Sequence, residues 1–238
     1  MKGIKPLLLV SYMLCLTILN QSCEKDPNPD GSTGENCETV LSIQERLEGG
    51  ETPQEIFECN NTLLDSLYGK IYEGGLIFHY NTADGTGLIA ALSDIFNSIN
   101  YSHEWGCIGI DLDGIENTSN CNGFFSPISS STETGSSNTL AIVNSCVGNS
   151  AANTCASYNS GINSDWFLPS LKELDMMWKY LKDGDGINLD NIGGFNSGFY
   201  WSSSEKDDLD AFGIYFGNGN SDCPSKSSSQ RVRPVRAY

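Results

Sequence analysis

The chain has 238 residues, with 13 Lys and Arg against 30 Asp and Glu and a formal charge of −17. That length fits one large or two small domains, and a balance this acidic argues against binding nucleic acid or anionic lipid by charge. Only 2 histidines are present, which leaves little for a catalytic triad or a histidine metal site.

Lys2 and Lys5 precede an apolar run from Leu7 to Leu19, too short for a mature span of ~20 residues. A positive start, a short apolar core and small Ser22 before Cys23 read as a secretory signal. Ser22-Cys23, followed at once by Glu24, Lys25 and Asp26, resembles a bacterial lipoprotein signal, although Asn20 stands where Leu is usual. That resemblance implies cleavage after residue 22 and lipid on Cys23; ordinary secretion, with Cys23 a spare thiol, is the plain alternative. The acidic residues that follow are similar to the surface-export signals of some diderm lipoproteins. Residues 23–36 carry almost no apolar side chain and read as a flexible acidic tether.

Residues 37–66 predict a small helical segment. Val40, Ile43 and Leu47 share a face, and Thr52-Pro53-Gln54-Glu55 restarts a helix with a capping box. A longer unit, 67–238, follows. Gly74-Gly75 leads into a strand at Leu76–Tyr80, a polar turn returns as a strand at Leu88–Leu92, and 93–137 is a long Ser/Asn/Gly-rich loop. Residues 138–158 predict a helix with Leu140, Ile142, Val143, Ala151, Ala152 and Ala156 as its apolar positions, Gly148 leaving its middle uncertain. In Asp165–Leu181, Pro169 ends an apolar stretch, Ser170 and Glu173 form a capping box, and Leu174, Met177, Trp178 and Leu181 recur at helical spacing. Strand-like runs at 199–203, 211–216 and 231–238 close the chain. The pattern is α+β, with mostly antiparallel strands and two main helices after the small helical segment.

Outside the cytoplasm, cysteines are disulfide candidates whose connectivity spacing does not settle. Neighbours in sequence suggest Cys37–Cys59, Cys107–Cys121 and Cys146–Cys155, leaving Cys223 odd. No CxxC occurs, which disfavours structural zinc.

A resemblance draws these blocks together. Leu67-Tyr68-Gly69-Lys70, Gly74–Phe78, Gly87–Ala91, Trp105-Gly106, Asn138-Thr139, Cys146, Ala151-Ala152, Cys155, Asp165–Ser170 with Glu173-Leu174, Tyr200–Glu205 and Arg231–Tyr238 appear in order. The chain resembles a bacterial domain-of-unknown-function family that includes the C-terminal domain of collagen-like surface adhesins. The resemblance covers roughly 67–238. It implies a C-type-lectin-like domain, related to the formylglycine-generating-enzyme fold, often on lipoproteins; the adhesin members are associated with sulfated polysaccharides. The Gly-X-Y stalk of those adhesins is not present here.

The candidate chemistry is thin. His79 alternates with apolar neighbours and reads as half-buried structure, while His103-Glu104 has no second His at ligand spacing. No GxSxG elbow occurs, and no redox cysteine pair maps onto this chain. Calcium has weak candidates in Asp183 and Asp185, beside similar carboxylate runs at Asp111-Asp113 and Asp207–Asp210; none completes an ion-binding loop, and solvated turns fit them better. Trp166 and Trp201 read as core. Trp105, in the long loop, reads as an exposed aromatic for a ligand. Arg231, Arg233 and Arg236 read as partners of carboxylates such as Glu173 or Glu205, or else as an anion patch.

The expectation is a non-enzymatic, cofactor-free lipoprotein of the outer membrane, attached through its lipid alone and facing the cell surface. It would recognise extracellular glycans or proteins through the 93–137 loop. The alternatives are an assembly lipoprotein that binds other surface proteins, and a degenerate enzyme of the sulfatase-modifying type.

Overall fold

The computed structural model describes residues 40–97, 102–115, 134–183 and 190–238. The signal, Cys23, the tether, Cys37, Cys121 and Asp185 lie outside the described residues.

The chain enters through two short helices whose starts are written in the sequence. Ser42 caps α1 (Ile43–Glu48) and Thr52 caps α2 (Pro53–Cys59); each hydroxyl accepts from a Glu amide, and that Glu carboxylate accepts from the cap amide in return. Helices of six or seven residues are marginal alone. Here Leu47 and Ile56, with Leu67 of α3 (Leu64–Leu67), are buried against Ile77, Ile89, Ala91 and Trp166. Val40 is fully exposed rather than part of that face, because it precedes the cap.

The strands are β1 (Ile71–Tyr72), β2 (Gly75–Tyr80), β3 (Gly87–Ala91), β4 (His103–Glu104), β5 (Phe199–Glu205), β6 (Ala211–Tyr215), β7 (Asn220–Asp222), β8 (Ser229–Gln230) and β9 (Val235–Ala237). They form antiparallel sheets ordered β1-β2-β3-β9, β4-β8 and β5-β6-β7. Period-two alternation sends Ile77 and Ile89 towards α1–α3, and Leu76, Phe78, Leu88 and Ala90 into the central core.

Of the remaining helices, α6 (Leu171–Met177) closes that core, while α4 (Gly135–Ser145) and α5 (Ala151–Ala156) pack on a second one. The Ser170–Glu173 capping box forms, Leu174, Met177 and Leu181 are fully buried, and a π-helix, Trp178–Asp183, continues α6. Phe167 lies extended beside Val235, so the segment that launches α6 is also pinned to the closing strand. Tyr200, Phe212, Ile214 and Phe216 complete the central core, whereas Trp201 and Ala211 face the second one with Trp105, Leu112, Ile142 and Cys146. The architecture is α+β.

Several expectations are corrected. The 138–158 helix is broken between α4 and α5, where Gly148 adopts φ +106°. Ile142, Ala151 and Ala152 pack inward as expected, but Leu140 is 62% exposed while Thr139 is buried. The Thr139 hydroxyl explains this, because it accepts from the Leu168 amide (2.9 Å) and contacts the Leu168 carbonyl (3.2 Å), tying α4 to the segment before α6. Of the closing run 231–238 only Val235–Ala237, β9, is a strand; β8 ends just before the run, and Pro234, which has no amide to donate, immediately precedes β9.

The disulfide map also changes. Cys107 pairs with Cys146, 39 residues away, with Cα atoms 5.0 Å apart. This rules out Cys107–Cys121 and Cys146–Cys155. Cys155 is a buried free thiol, and Cys223, expected to be odd, is disulfide-bonded, as is Cys59. Trp105 and Ile142 share one core, so the chain next to Cys107 is delivered to the end of α4 irrespective of sequence distance.

Among the described residues, no helix is long and apolar enough to cross a membrane.

Candidate functional site

The arginines that close the chain are committed to structure. Arg233 is 1% exposed; its Nε donates to Asp94 Oδ1 at 2.8 Å, and Nη1 donates to the Ala91 and Gly193 carbonyls at 3.0 Å each. Its guanidinium stacks on Phe195, 4.1 Å from the ring centroid. Asp94 Oδ2 accepts from the Tyr200 hydroxyl at 2.7 Å and from Arg231 at 3.3 Å. Arg236 pairs with Asp165 and Glu73. The expectation of carboxylate partners stands, but the partners are not Glu173 and Glu205. Glu173 Oε2 accepts from the Ser170 amide at 2.7 Å.

Glu205 pairs instead with Lys226, both fully buried. Lys226 Nζ also donates to the Ile110 carbonyl at 2.7 Å and sits 4.8 Å from the Trp105 ring centroid. Glu205 Oε2 accepts from the Leu112 amide at 2.8 Å. Burial pushes the Glu205 carboxyl upward, against the lowering pull of Lys226 and the Leu112 amide. Trp105 is therefore no exposed sugar platform. It is fully buried, and its indole donates to the Ser202 carbonyl at 2.8 Å. The 93–137 loop, where described, is pinned by burial of Trp105, Leu112 and Ile115.

Nor do the described residues assemble a reactive centre. No group of three or more His, Cys, Asp or Glu among them is placed to hold a metal ion. Asp183 is exposed at the end of the π-helix. Asp207 accepts from the Leu209 and Asp210 amides at 2.9 Å each, which makes that acidic run a self-capped turn. Burial pushes the Cys155 thiol far up, the opposite of an activated nucleophile. His79 is half-buried.

What stays open is a groove of about 750 Å³ between β4, the segment just before it, and α5. Pairing of β4 with β8 sets its wall, with His103 opposite Gln230 and Glu104 opposite Ser229. His103 turns inward, contacting Thr154 at 3.3 Å and the Ile95 carbonyl at 3.2 Å. Burial lowers its pKa, so the ring is neutral at physiological pH. On the opposite side Ser150 caps α5 and donates to Asn153 Oδ1 at 2.7 Å, which fixes that amide with its Nδ2 left over. Asn97, Asn149 and Asn159 add further amides, Ser102 and Ser157 add hydroxyls, and Phe96, 52% exposed, and half-buried Tyr158 supply ring faces. Among the described residues of the lining, Glu104 is the one carboxylate and no Lys or Arg takes part.

Sequence reasoning missed this groove and both buried ion pairs. The amides were visible as an Asn-rich composition around 149–163, but nothing local says that this stretch meets β4. Lys226, inside Pro-Ser-Lys-Ser-Ser-Ser, carries no local sign of burial.

The described residues thus form an α+β module with buried ion pairs and an amide-lined groove. The family model that matches is the Lcl C-terminal domain, over residues 110–236, more than half of the chain, and the chain belongs to that family. No curated protein matches the chain.

Proposed function

We propose that this is a non-enzymatic recognition module with a C-type-lectin-like fold, lipid-anchored through Cys23 at the outer surface of the envelope. Its ligand is a neutral glycan chain held in the β4–α5 groove. The single observation that carries the ligand class is the near-neutral, amide-lined groove on a chain of charge −17. Amides and hydroxyls donate and accept at once, as vicinal sugar hydroxyls require, and ring faces take the apolar side of a pyranose. Sulfated chains are disfavoured, because Arg231, Arg233 and Arg236 each already hold a carboxylate. The lipoprotein signal and the Lcl-type domain support a surface setting.

An array of neutral and sulfated glycans, probed with the intact protein in calcium and in chelator, tests this. The expected result is chelator-insensitive binding to neutral chains, lost in Asn153→Ala with no change in Tm. Binding confined to sulfated chains, or dependent on calcium, would overturn it. A second reading, assembly with another surface protein, draws on exposed Ile108, Ile110 and Leu209, brought near one another by the Gly109 amide donating to Asp208 at 2.7 Å. A blank array with a stoichiometric co-purifying protein would favour it.

A further inference from the structure

A second concave feature lies away from the groove, on β5-β6-β7. Phe199 and Tyr215 are cross-strand partners with ring centroids 5.3 Å apart and planes tilted by 47°. Their immediate neighbours Tyr200 and Ile214 are buried, yet neither Phe199 nor Tyr215 belongs to any hydrophobic cluster, and both are half-exposed. The two rings floor a depression of about 320 Å³ whose other walls are Asn218, Asn220, Ser221 and Asp222.

The depression is held by the protein's own backbone. The turn into β7 closes with the Asn218 and Gly219 amides donating to the Tyr215 carbonyl at 3.2 and 2.8 Å, and Asn218 Oδ1 accepts from the Asn220 amide at 3.0 Å. The Tyr215 ring lies over Gly217, where a Cβ would run into it. Residue 217 must therefore lack a side chain for the ring to take this position.

Two adjoining flat rings edged by amides, a hydroxyl and one carboxylate match few ligands. An apolar peptide would leave the amides buried and unpaired. An anion would meet Asp222 with no cation among the described residues of the lining to offset it. A sugar ring offers what the site lacks, an apolar C–H face for the aromatics and hydroxyls at its edge for Asn220 and Asp222. We propose that this ledge is a second saccharide subsite, holding one neutral pyranose independently of the β4–α5 groove. The inference rests on the glycan reading of the protein and deepens it.

The test uses the intact protein, methyl glycosides of glucose, galactose and N-acetylglucosamine, and the neutral chains that score on the array. In NMR titrations the Tyr215 ring signals shift with a methyl pyranoside, and they do so equally in the groove variant Asn153→Ala. Tyr215→Leu, which keeps apolar bulk but removes the flat ring, weakens chain binding about three- to tenfold at unchanged Tm. Asp222→Asn, which keeps the shape, gives a smaller loss. Wild-type binding by Tyr215→Leu alongside loss in Asn153→Ala would overturn the ledge and leave the groove reading intact. No shift and no chain binding by any variant would overturn both.

Discussion

The molecule treats its polar groups in two ways, and the contrast separates structure from function. Around Asp94 and around Lys226, charges are folded shut, every one against an opposite charge and neighbouring carbonyls, amides or hydroxyls. Along β4 and α5, polar groups other than the Glu104 carboxylate are uncharged and half-open, with Asn153 Nδ2 lacking a protein partner among the described residues. Buried charge is tolerated only when paired and hydrogen-bonded, so the closed nodes are where substitution unfolds the protein. Neutral amides at a surface cost nothing to leave open, so the groove is where substitution changes binding alone.

The largest expected effect is at the closed Lys226 node. Lys226→Met strands the Glu205 carboxylate and should cost about 3–5 kcal/mol, while adding Glu205→Gln recovers part of that loss. Denaturant melts of the single and double variants measure it; a mild single loss would break the comparison. Next is the join between the two regions. Replacing Cys107 and Cys146 by Ser should cost about 2–4 kcal/mol, read as a fall in Tm under oxidising conditions, because the bridge ties the segment after β4 to the end of α4.

The smallest effect near neutral pH comes from tyrosines. Burial pushes Tyr68 up to about 12 and moves Tyr200 and Tyr238 higher still, from an ordinary value near 10. The fold therefore binds these phenolic protons more tightly than the unfolded chain does. The stabilisation is complete below about pH 10 and is lost as pH rises towards 12 and beyond. Of the 10 tyrosines, these three should yield phenolate absorbance only as the protein unfolds. Early titration of Tyr200 would mean that the Asp94 node is not closed.

How much of this could be read beforehand divides along the same line. The Thr52 and Ser170 capping boxes, the β2–β3 hairpin and the Pro169 boundary involve residues within a few positions of one another, and each formed as expected. The Cys107–Cys121 and Cys146–Cys155 assignments failed because they assumed that neighbours in sequence are neighbours in space. Trp105 was misplaced for a related reason: polar company in the chain says nothing about the core that a distant strand provides. Thr139 broke the apolar periodicity of α4 because a hydroxyl bonded to a backbone segment can substitute for an apolar contact.

By itself, the sequence determined the α+β class, the capped starts of α2 and α6 and the role of the C-terminal arginines as carboxylate partners, since each follows from local chemistry or overall charge. Only the tertiary structure decided which carboxylates those were, that Lys226 lies beneath Trp105, that Cys107 meets Cys146, and that four asparagines line one groove. The physical reason is range. A cap or a turn closes over three or four residues, whereas Arg233 reaches Asp94 across 139 positions and Lys226 reaches Ile110 across 116. Such pairs are chosen by the packing of whole sheets, which no local pattern records.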